Sequence, residues 1–165
     1  MTLMRGLGGA EPTRLALSRF RQKVQAADYP DLHLTAIVWG IQILSGEEAI
    51  TDPAILLTAL GFDTVTSYVW IHHIPLPTFP QTPYADVLEE ARKHWHAVRA
   101  EYPLPYFPNV TMGWDSSPRA VQSDVFENVG YPFMPMLSSN TPEKFRLALR
   151  TRKSFWTRSP PGRVC

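Results

Sequence analysis

Cysteine and net charge are both scarce in this chain. The only cysteine is Cys165, the last residue, so the chain cannot form an internal disulfide or a cysteine-based metal site. The formal net charge is +1, from 16 Lys and Arg against 15 Asp and Glu. A chain so near neutrality has no field that attracts nucleic acid or an anionic membrane surface. We therefore expect neither as a partner.

Long apolar runs are also missing. Arg5, several glycines and Glu11 interrupt the first residues, so nothing there resembles the apolar core of a signal peptide. No apolar stretch approaches the roughly 20 residues that a membrane-spanning helix needs. The sequence therefore predicts a cytoplasmic protein without a membrane span.

The five histidines do not predict a metal centre. His72 and His73 end a predicted strand, where neighbouring side chains point to opposite faces. His94 and His96 lie about 200° apart around a predicted helix. We expect no metal and no cofactor. Either His72 or His73 could still bond a substrate hydroxyl or move a proton, and the alternative is a histidine hydrogen-bonded within a loop.

The chain is rich in apolar and aromatic residues. Of its 165 residues, 44% are hydrophobic and 12% are aromatic, which is enough to form the core of one domain. Apolar residues recur at helical spacing in four segments, residues 12–27, 53–60, 84–100 and 142–156. Three runs rich in β-branched and apolar residues predict strands at residues 32–40, 63–70 and 109–114. The first of these runs is so continuously apolar that we expect it to be buried on both faces.

Helices and strands thus alternate, which is typical of βαβ units with a parallel sheet and helices on its outer side. A closed (β/α)₈ barrel takes about 250 residues, so three βα units make either part of such a barrel or a small open sheet. No second domain is apparent. We expect one α/β domain over residues 1–156, followed by an irregular tail over residues 157–165.

Residues 108–119, Pro-Asn-Val-Thr-Met-Gly-Trp-Asp-Ser-Ser-Pro-Arg, are the stretch with the clearest functional content. A predicted strand ends there in polar side chains, and catalytic and binding residues collect at such carboxyl ends in parallel sheets. Asp115 is a candidate acid, base or hydroxyl acceptor, Arg119 a candidate anion fork, and Trp114 a flat apolar surface. The alternative is a Ser-Pro turn in which Asp115 caps its own backbone and pairs with Arg119.

Several segments together resemble the WbsX-like family of glycosyltransferase-like proteins, which is related to glycoside hydrolase family 99. They are Gly-Gly-Ala-Glu at 8–11, Leu-His-Leu at 32–34, Gly-Phe-Asp-Thr-Val-Thr-Ser-Tyr at 61–68, the helix from Tyr84, residues 108–119, and Asn-Thr-Pro-Glu-Lys-Phe at 140–145. The similarity runs in register from about residue 3 to 155, and Gly-Trp-Asp-Ser-Ser-Pro-Arg at 113–119 is its most specific part.

The resemblance implies a partial (β/α)₈ barrel that acts on carbohydrate, often in cell-surface polysaccharide metabolism. It also implies that the family's barrel begins before Met1 and continues past this C-terminus with an Asn-Trp-Asn-Glu-Trp-like strand. The tail from Thr157 would then fit a truncated or frameshifted reading frame.

The candidate chemistry agrees with a carbohydrate ligand. Sugars stack their apolar faces on aromatic rings, and Trp39, Tyr68, Trp70 and Trp114 lie in or at the ends of the predicted strands. Asp115 is the only carboxylate at a predicted strand end, whereas glycosyl transfer or hydrolysis usually needs two. Asp115 and Arg119 would position sugar hydroxyls or a substrate carboxylate.

Three hypotheses stay open. The chain is a fragment of a carbohydrate-active enzyme, with Asp115 as its catalytic residue and Trp39, Tyr68, Trp70, His72, His73, Trp114 and Arg119 as substrate contacts. Alternatively it is a non-catalytic carbohydrate-binding protein that uses the same aromatic face. The third hypothesis is an inactive remnant, in which self-association through exposed sheet edges would cover the apolar flanks.

Overall fold

The computed structural model describes residues 7–38, 52–121 and 123–157. These residues contain four α-helices, which are α1 (Ala10–Ala26), α2 (Pro53–Ala59), α3 (Tyr84–Glu101) and α4 (Pro142–Thr157). They contain five strands, which are β1 (Thr35–Val38), β2 (Thr64–Ser67), β3 (Gln81–Pro83), β4 (Tyr106–Phe107) and β5 (Met136–Ser138). Two short 3₁₀ turns cover Trp70–His72 and Ser117–Arg119. None of the helices in these ranges is long and apolar enough to cross a membrane.

The described strands form two small sheets, and all their pairings are parallel. The first has the order β1-β2-β4, with Thr35 opposite Thr64 and Val65 opposite Tyr106. The second pairs β3 with β5, with Gln81 opposite Met136. The predicted α/β class with parallel strands is therefore confirmed. Within the described ranges the five strands lie in these two sheets and not in one closed barrel.

The strand predicted at residues 109–114 is wrong, because the ladder ends earlier, at β4. Two carbonyl groups of the segment bond to side chains, and the Trp114 carbonyl accepts a single bond from Leu137 of β5 without forming a ladder. The Asn109 carbonyl accepts from Trp70 Nε1 at 3.2 Å, and the Thr111 carbonyl accepts from the Tyr84 hydroxyl at 2.7 Å. The Thr111 hydroxyl in turn accepts from the Trp70 backbone N–H at 3.0 Å. The second predicted strand is also shorter than expected, since Trp70–His72 forms a 3₁₀ turn.

Burial differs between the first two strands. β2 lies between β1 and β4, and its Val65 is 0% exposed, as expected of a central strand. The prediction that the first strand is buried on both faces is wrong. β1 lies at the edge of its sheet, where Ala36 is buried but Ile37 is 57% exposed.

Helix α3 supplies the largest share of the core. Its predicted apolar face is confirmed, since all the residues expected on it are buried: Val87, Leu88, Ala91, Trp95 and Val98. The Trp95 ring meets the Phe155 ring of α4 edge to face, with 5.9 Å between centroids. Tyr84, at the start of α3, packs on Trp70 at 5.2 Å. These contacts join α3 to α4 and to the segment after β2.

Helix α1 is linked to the first sheet by the side chain of Arg21. Its apolar stripe is little covered by the described residues, and Phe20 is 51% exposed. Arg21, by contrast, reaches from α1 to the turn before β2, where its guanidinium donates to the Gly61 carbonyl at 3.0 Å and to Asp63 at 2.6 Å. It also donates to the Leu32 carbonyl ahead of β1. This one guanidinium thus connects α1 to the segments that precede β1 and β2.

Candidate functional site

An open cleft of about 600 Å³ lies beside the second sheet. Its lining includes three residues that the sequence singled out, Trp114, Asp115 and Arg119. Polar groups from other parts of the chain complete the wall: Gln81, Ser138 and Asn140. Of the described residues that line it, Asp115 and Arg119 are the charged ones. The cleft thus combines an aromatic ring, a carboxylate, a guanidinium and neutral amides.

Three distant segments are held together to form this cleft. The Leu137 N–H of β5 donates to the Trp114 carbonyl at 2.9 Å. The N–H of Met136 donates to the Pro80 carbonyl, also at 2.9 Å, in the loop before β3. The fully buried Ser116 donates its hydroxyl to the Pro132 carbonyl at 2.6 Å. The backbone on both sides of Asp115 is therefore anchored, which fixes where its side chain begins.

Asp115 is exposed, and one of its carboxylate oxygens is engaged locally. Oδ1 accepts from the Ser117 backbone N–H at 2.8 Å, which is the turn that the alternative interpretation predicts. The described residues place no donor on Oδ2. A carboxylate held through one oxygen keeps the other for a ligand hydroxyl.

Arg119 follows on the 3₁₀ turn Ser117–Arg119. Its guanidinium carbon lies 6.0 Å from the Trp114 ring centroid and 6.0 Å from that of Tyr131. The ion pairs found among the described residues involve Arg14, Arg21, Arg92 and Lys93. An Asp115–Arg119 pair is not among them, so the described structure shows the local turn but not the expected charge pairing.

Of the other aromatic candidates, neither Tyr68 nor Trp70 lines the cleft. Trp70 is 2% exposed and packs in the core, where it presents no face to a ligand. Tyr68 is 41% exposed, and its ring contacts the His72 ring at 4.9 Å between centroids. Trp39 lies outside the described residues. The proposed aromatic surface around Asp115 is therefore formed by Trp114, with Tyr131 beyond Arg119.

His72 and His73 are buried in the turn after β2. The His73 ring stacks on His94 of α3 at 4.7 Å between centroids, and neither ring nitrogen of His73 has a hydrogen-bond partner. Burial, with smaller effects of His94 and His72, lowers the pKa of His73 to about 3. Burial also lowers the pKa of His94. At neutral pH the stacked rings of His73 and His94 are therefore uncharged, and the described residues contain no group of three metal-ligating side chains.

Sequence reasoning missed Gln81 and Asn140. Gln81 opens β3 after a loop with Pro75, Pro77 and Pro80, and such proline-stiffened loops are usual at binding faces. Asn140 precedes α4 and looks like a helix start, but its side-chain amide donates to the Met112 carbonyl at 3.3 Å and lines the cleft. The loop composition was a usable signal for Gln81, whereas no local signal distinguishes Asn140.

Comparison of the chain with protein-family models, with curated proteins and with solved structures finds no match. The fold and the cleft therefore give the structural class of the protein. It is a mixed α/β chain with small parallel sheets, and an open cleft with apolar and polar walls lies beside the second sheet.

Proposed function

We propose that the protein is carbohydrate-active and that the cleft beside the second sheet binds the sugar. The observation that carries the proposal is the joint presence of Trp114, Asp115 and Arg119 in one open cleft of about 600 Å³. A cavity of that size accommodates a mono- or disaccharide. The resemblance of residues 113–119 to WbsX-like proteins supports carbohydrate as the class of ligand.

Each group in the cleft suits a different part of a sugar. The Trp114 ring offers an apolar surface for the C–H face of a pyranose. The carboxylate of Asp115 accepts from ring hydroxyls, and its Ser117 bond holds it in one orientation. Gln81 and Asn140 carry amides that both donate and accept. A ligand with many hydroxyls on a partly apolar ring satisfies all of these groups together.

The catalytic part of the proposal rests on Asp115. Hydrolysis or transfer at a glycosidic bond usually employs two carboxyl groups, one on each side of the bond. The described lining contributes one, from Asp115. We therefore assign Asp115 to the acid, base or nucleophile position of a glycosidase or glycosyltransferase reaction, and the remaining lining residues to binding.

The finer fold assignment is part of the same proposal. β1, β2 and β4 lie side by side in the first sheet in the order of the chain, with α2 between β1 and β2, and with β3 of the second sheet followed by α3 between β2 and β4. Consecutive parallel neighbours joined by helices are the building units of a (β/α)₈ barrel. We propose that these units are part of such a barrel, as in the family that the sequence resembles.

A direct binding experiment tests the function. Saturation-transfer NMR of the full chain with a panel of neutral and acidic mono- and disaccharides should show at least one ligand. Trp114→Ala should weaken that binding by about tenfold, because a lost sugar-aromatic stack is worth about 1 kcal/mol or more. Asp115→Asn should weaken it less and should abolish any turnover of aryl glycosides.

Arg19→Gln serves as the matched control, because Arg19 is an exposed residue of α1 that does not line the cleft. This variant should bind and turn over the same sugars as the parent chain. A chain that binds no sugar in the panel, or binds one equally well without the Trp114 ring, contradicts the proposal.

A further inference from the structure

The guanidinium of Arg119 lines the cleft without an acidic partner among the described residues. The nearest acidic residue in sequence, Asp115, also lines the cleft but directs Oδ1 to the Ser117 N–H. Some arginines in the described ranges pair with carboxylates, as Arg14 does with Glu11 and Arg92 with Glu89, whereas Arg119 lies in the cleft wall. Arg119 is thus a cation whose hydrogen-bonding edges are open to a ligand.

Two aromatic rings flank this guanidinium. Trp114 and Tyr131 each lie 6.0 Å from the Arg119 Cζ, within the range at which a ring face attracts a cation. An attraction between a ring face and the charge uses none of the guanidinium N–H groups, so these stay available to an acceptor. Such an arrangement limits the freedom of the side chain and suits a planar acceptor that takes two parallel hydrogen bonds.

We propose that the cleft selects a sugar that carries a carboxylate, such as a uronic acid, and that Arg119 binds this carboxylate as a two-pronged donor. The inference rests on the proposed function and adds the substrate class. The same ligand places its ring against Trp114 and its hydroxyls at Asp115, so that one molecule engages all three side chains. Arg119 determines specificity in this arrangement, whereas Trp114 supplies affinity for any sugar.

The charges in the cleft favour a carboxylate over the other candidate ligands. A neutral sugar leaves the guanidinium with hydroxyl acceptors, which form weaker bonds than an ionised oxygen does. A phosphate brings close to two negative charges beside Asp115, where the described lining has only one cation to offset them. A carboxylate brings one negative charge and a planar pair of oxygens that matches the guanidinium fork.

Matched sugar pairs provide the test. The full chain is titrated by calorimetry or NMR with the methyl glycosides of glucose, galactose and mannose, with the three corresponding uronic acids, and with the 6-phosphates of the three sugars. At least one uronic acid should bind about tenfold more tightly than the neutral sugar of the same configuration. Raising the salt concentration should weaken binding of the uronic acid and leave binding of the neutral sugar unchanged.

Variants assign the difference to Arg119. Arg119→Gln should weaken binding of the uronic acid about tenfold and binding of the neutral sugar much less, so that the preference for the acid is lost. Arg119→Lys, which keeps the charge without the fork, should retain only part of the preference. Arg19→Gln should behave as the parent chain. Because Arg119 is exposed, both variants should melt within a few degrees of the parent, and the neutral sugar reports the state of the cleft directly.

The outcomes separate the two proposals. Neutral sugars that bind through Trp114 as tightly as every uronic acid overturn the carboxylate proposal and leave the proposed function standing. A sugar phosphate that binds more tightly than its uronic acid overturns the choice of carboxylate in favour of phosphate. Failure of all the sugars to bind overturns both proposals.

Discussion

The guanidinium of Arg21 donates to the carboxylate of Asp63 at 2.6 Å, and this bond joins two residues 42 positions apart. Asp63 also accepts from the Leu34 backbone N–H at 2.6 Å, so it connects α1 to the start of the first sheet. Burial opposes ionisation of Asp63, but the Leu34 N–H and the Arg21 guanidinium outweigh it and hold the pKa of Asp63 below its ordinary value. The pair is therefore fully ionised at neutral pH.

We predict that Arg21→Gln lowers the free energy of unfolding by about 1–2 kcal/mol, because the pair is partly shielded, with side chains 22% and 34% exposed. A double-mutant cycle with Asp63→Asn should give a coupling energy of about 1 kcal/mol. The matched control is Arg14→Gln, which breaks an exposed pair with Glu11 and should cost less than about 0.5 kcal/mol. Equal effects of the two arginine variants in urea unfolding would contradict the anchoring role of Arg21.

Trp95 should be the most sensitive position of the core. It is 1% exposed and packs edge to face against Phe155, so Trp95→Ala leaves a cavity and loses that contact. We expect a loss of about 3–5 kcal/mol in chemical denaturation. Phe20→Ala removes an aromatic ring that is 51% exposed on α1 and should cost less than about 1 kcal/mol. A similar loss in both variants would mean that α1 is covered to the same degree as α3.

Mild acid should destabilise the fold through His73. Its pKa is about 3 in the folded chain and about 6.5 when unfolded, so the unfolded state binds more protons as the pH falls below 6.5. The stability that comes from keeping His73 uncharged is therefore fully present above pH 6.5, and it decreases as the pH falls below that value. The expected loss is about 1 kcal/mol between pH 7.5 and 5.5, a range in which ordinary carboxyl groups stay ionised.

The histidine contribution can be isolated by comparing pH profiles. His73→Phe keeps an aromatic ring next to His94 but cannot titrate, so its unfolding free energy should depend less on pH in this range. Arg19→Gln changes an exposed side chain and leaves every histidine in place, so it should keep the slope of the parent chain. An unchanged slope for His73→Phe would show that His73 titrates normally in the folded state.

The amphipathic helices were predictable because each apolar stripe is a local pattern. The buried face of α3 follows directly from the spacing of Val87, Ala91, Trp95 and Val98. Strands were harder, since a short apolar run is compatible with a ladder or with an extended loop. Residues 109–114 have the composition of a strand. The Asn109 and Thr111 carbonyls, however, accept hydrogen bonds from the side chains of Trp70 and Tyr84, which are far away in the sequence.

The candidate site also has residues that the sequence could predict and residues that it could not. Trp114, Asp115 and Arg119 are close in sequence, and the Ser-Pro turn was enough to predict that they lie together, although the strand expected to end at Trp114 does not form. Gln81 and Asn140 join them only because β3 and β5 pair and because Leu137 bonds to the Trp114 carbonyl. Trp70 could not be separated from the site by sequence, since an aromatic residue after a strand suits a core as well as a cleft.

Strands β3, β4 and β5 lie outside the segments that were predicted as strands. The sequence alone determined the α/β class, the four helices of the described ranges, the parallel sense of the strands and the local group of Trp114, Asp115 and Arg119. Each of these depends on residues within a few positions of one another or on a simple alternation of elements. The tertiary structure alone decided which strand lies at an edge, where the ladders stop and which distant amides complete the cleft. Those features depend on how hydrogen-bonding groups far apart in the chain are shared, and no local pattern encodes that competition.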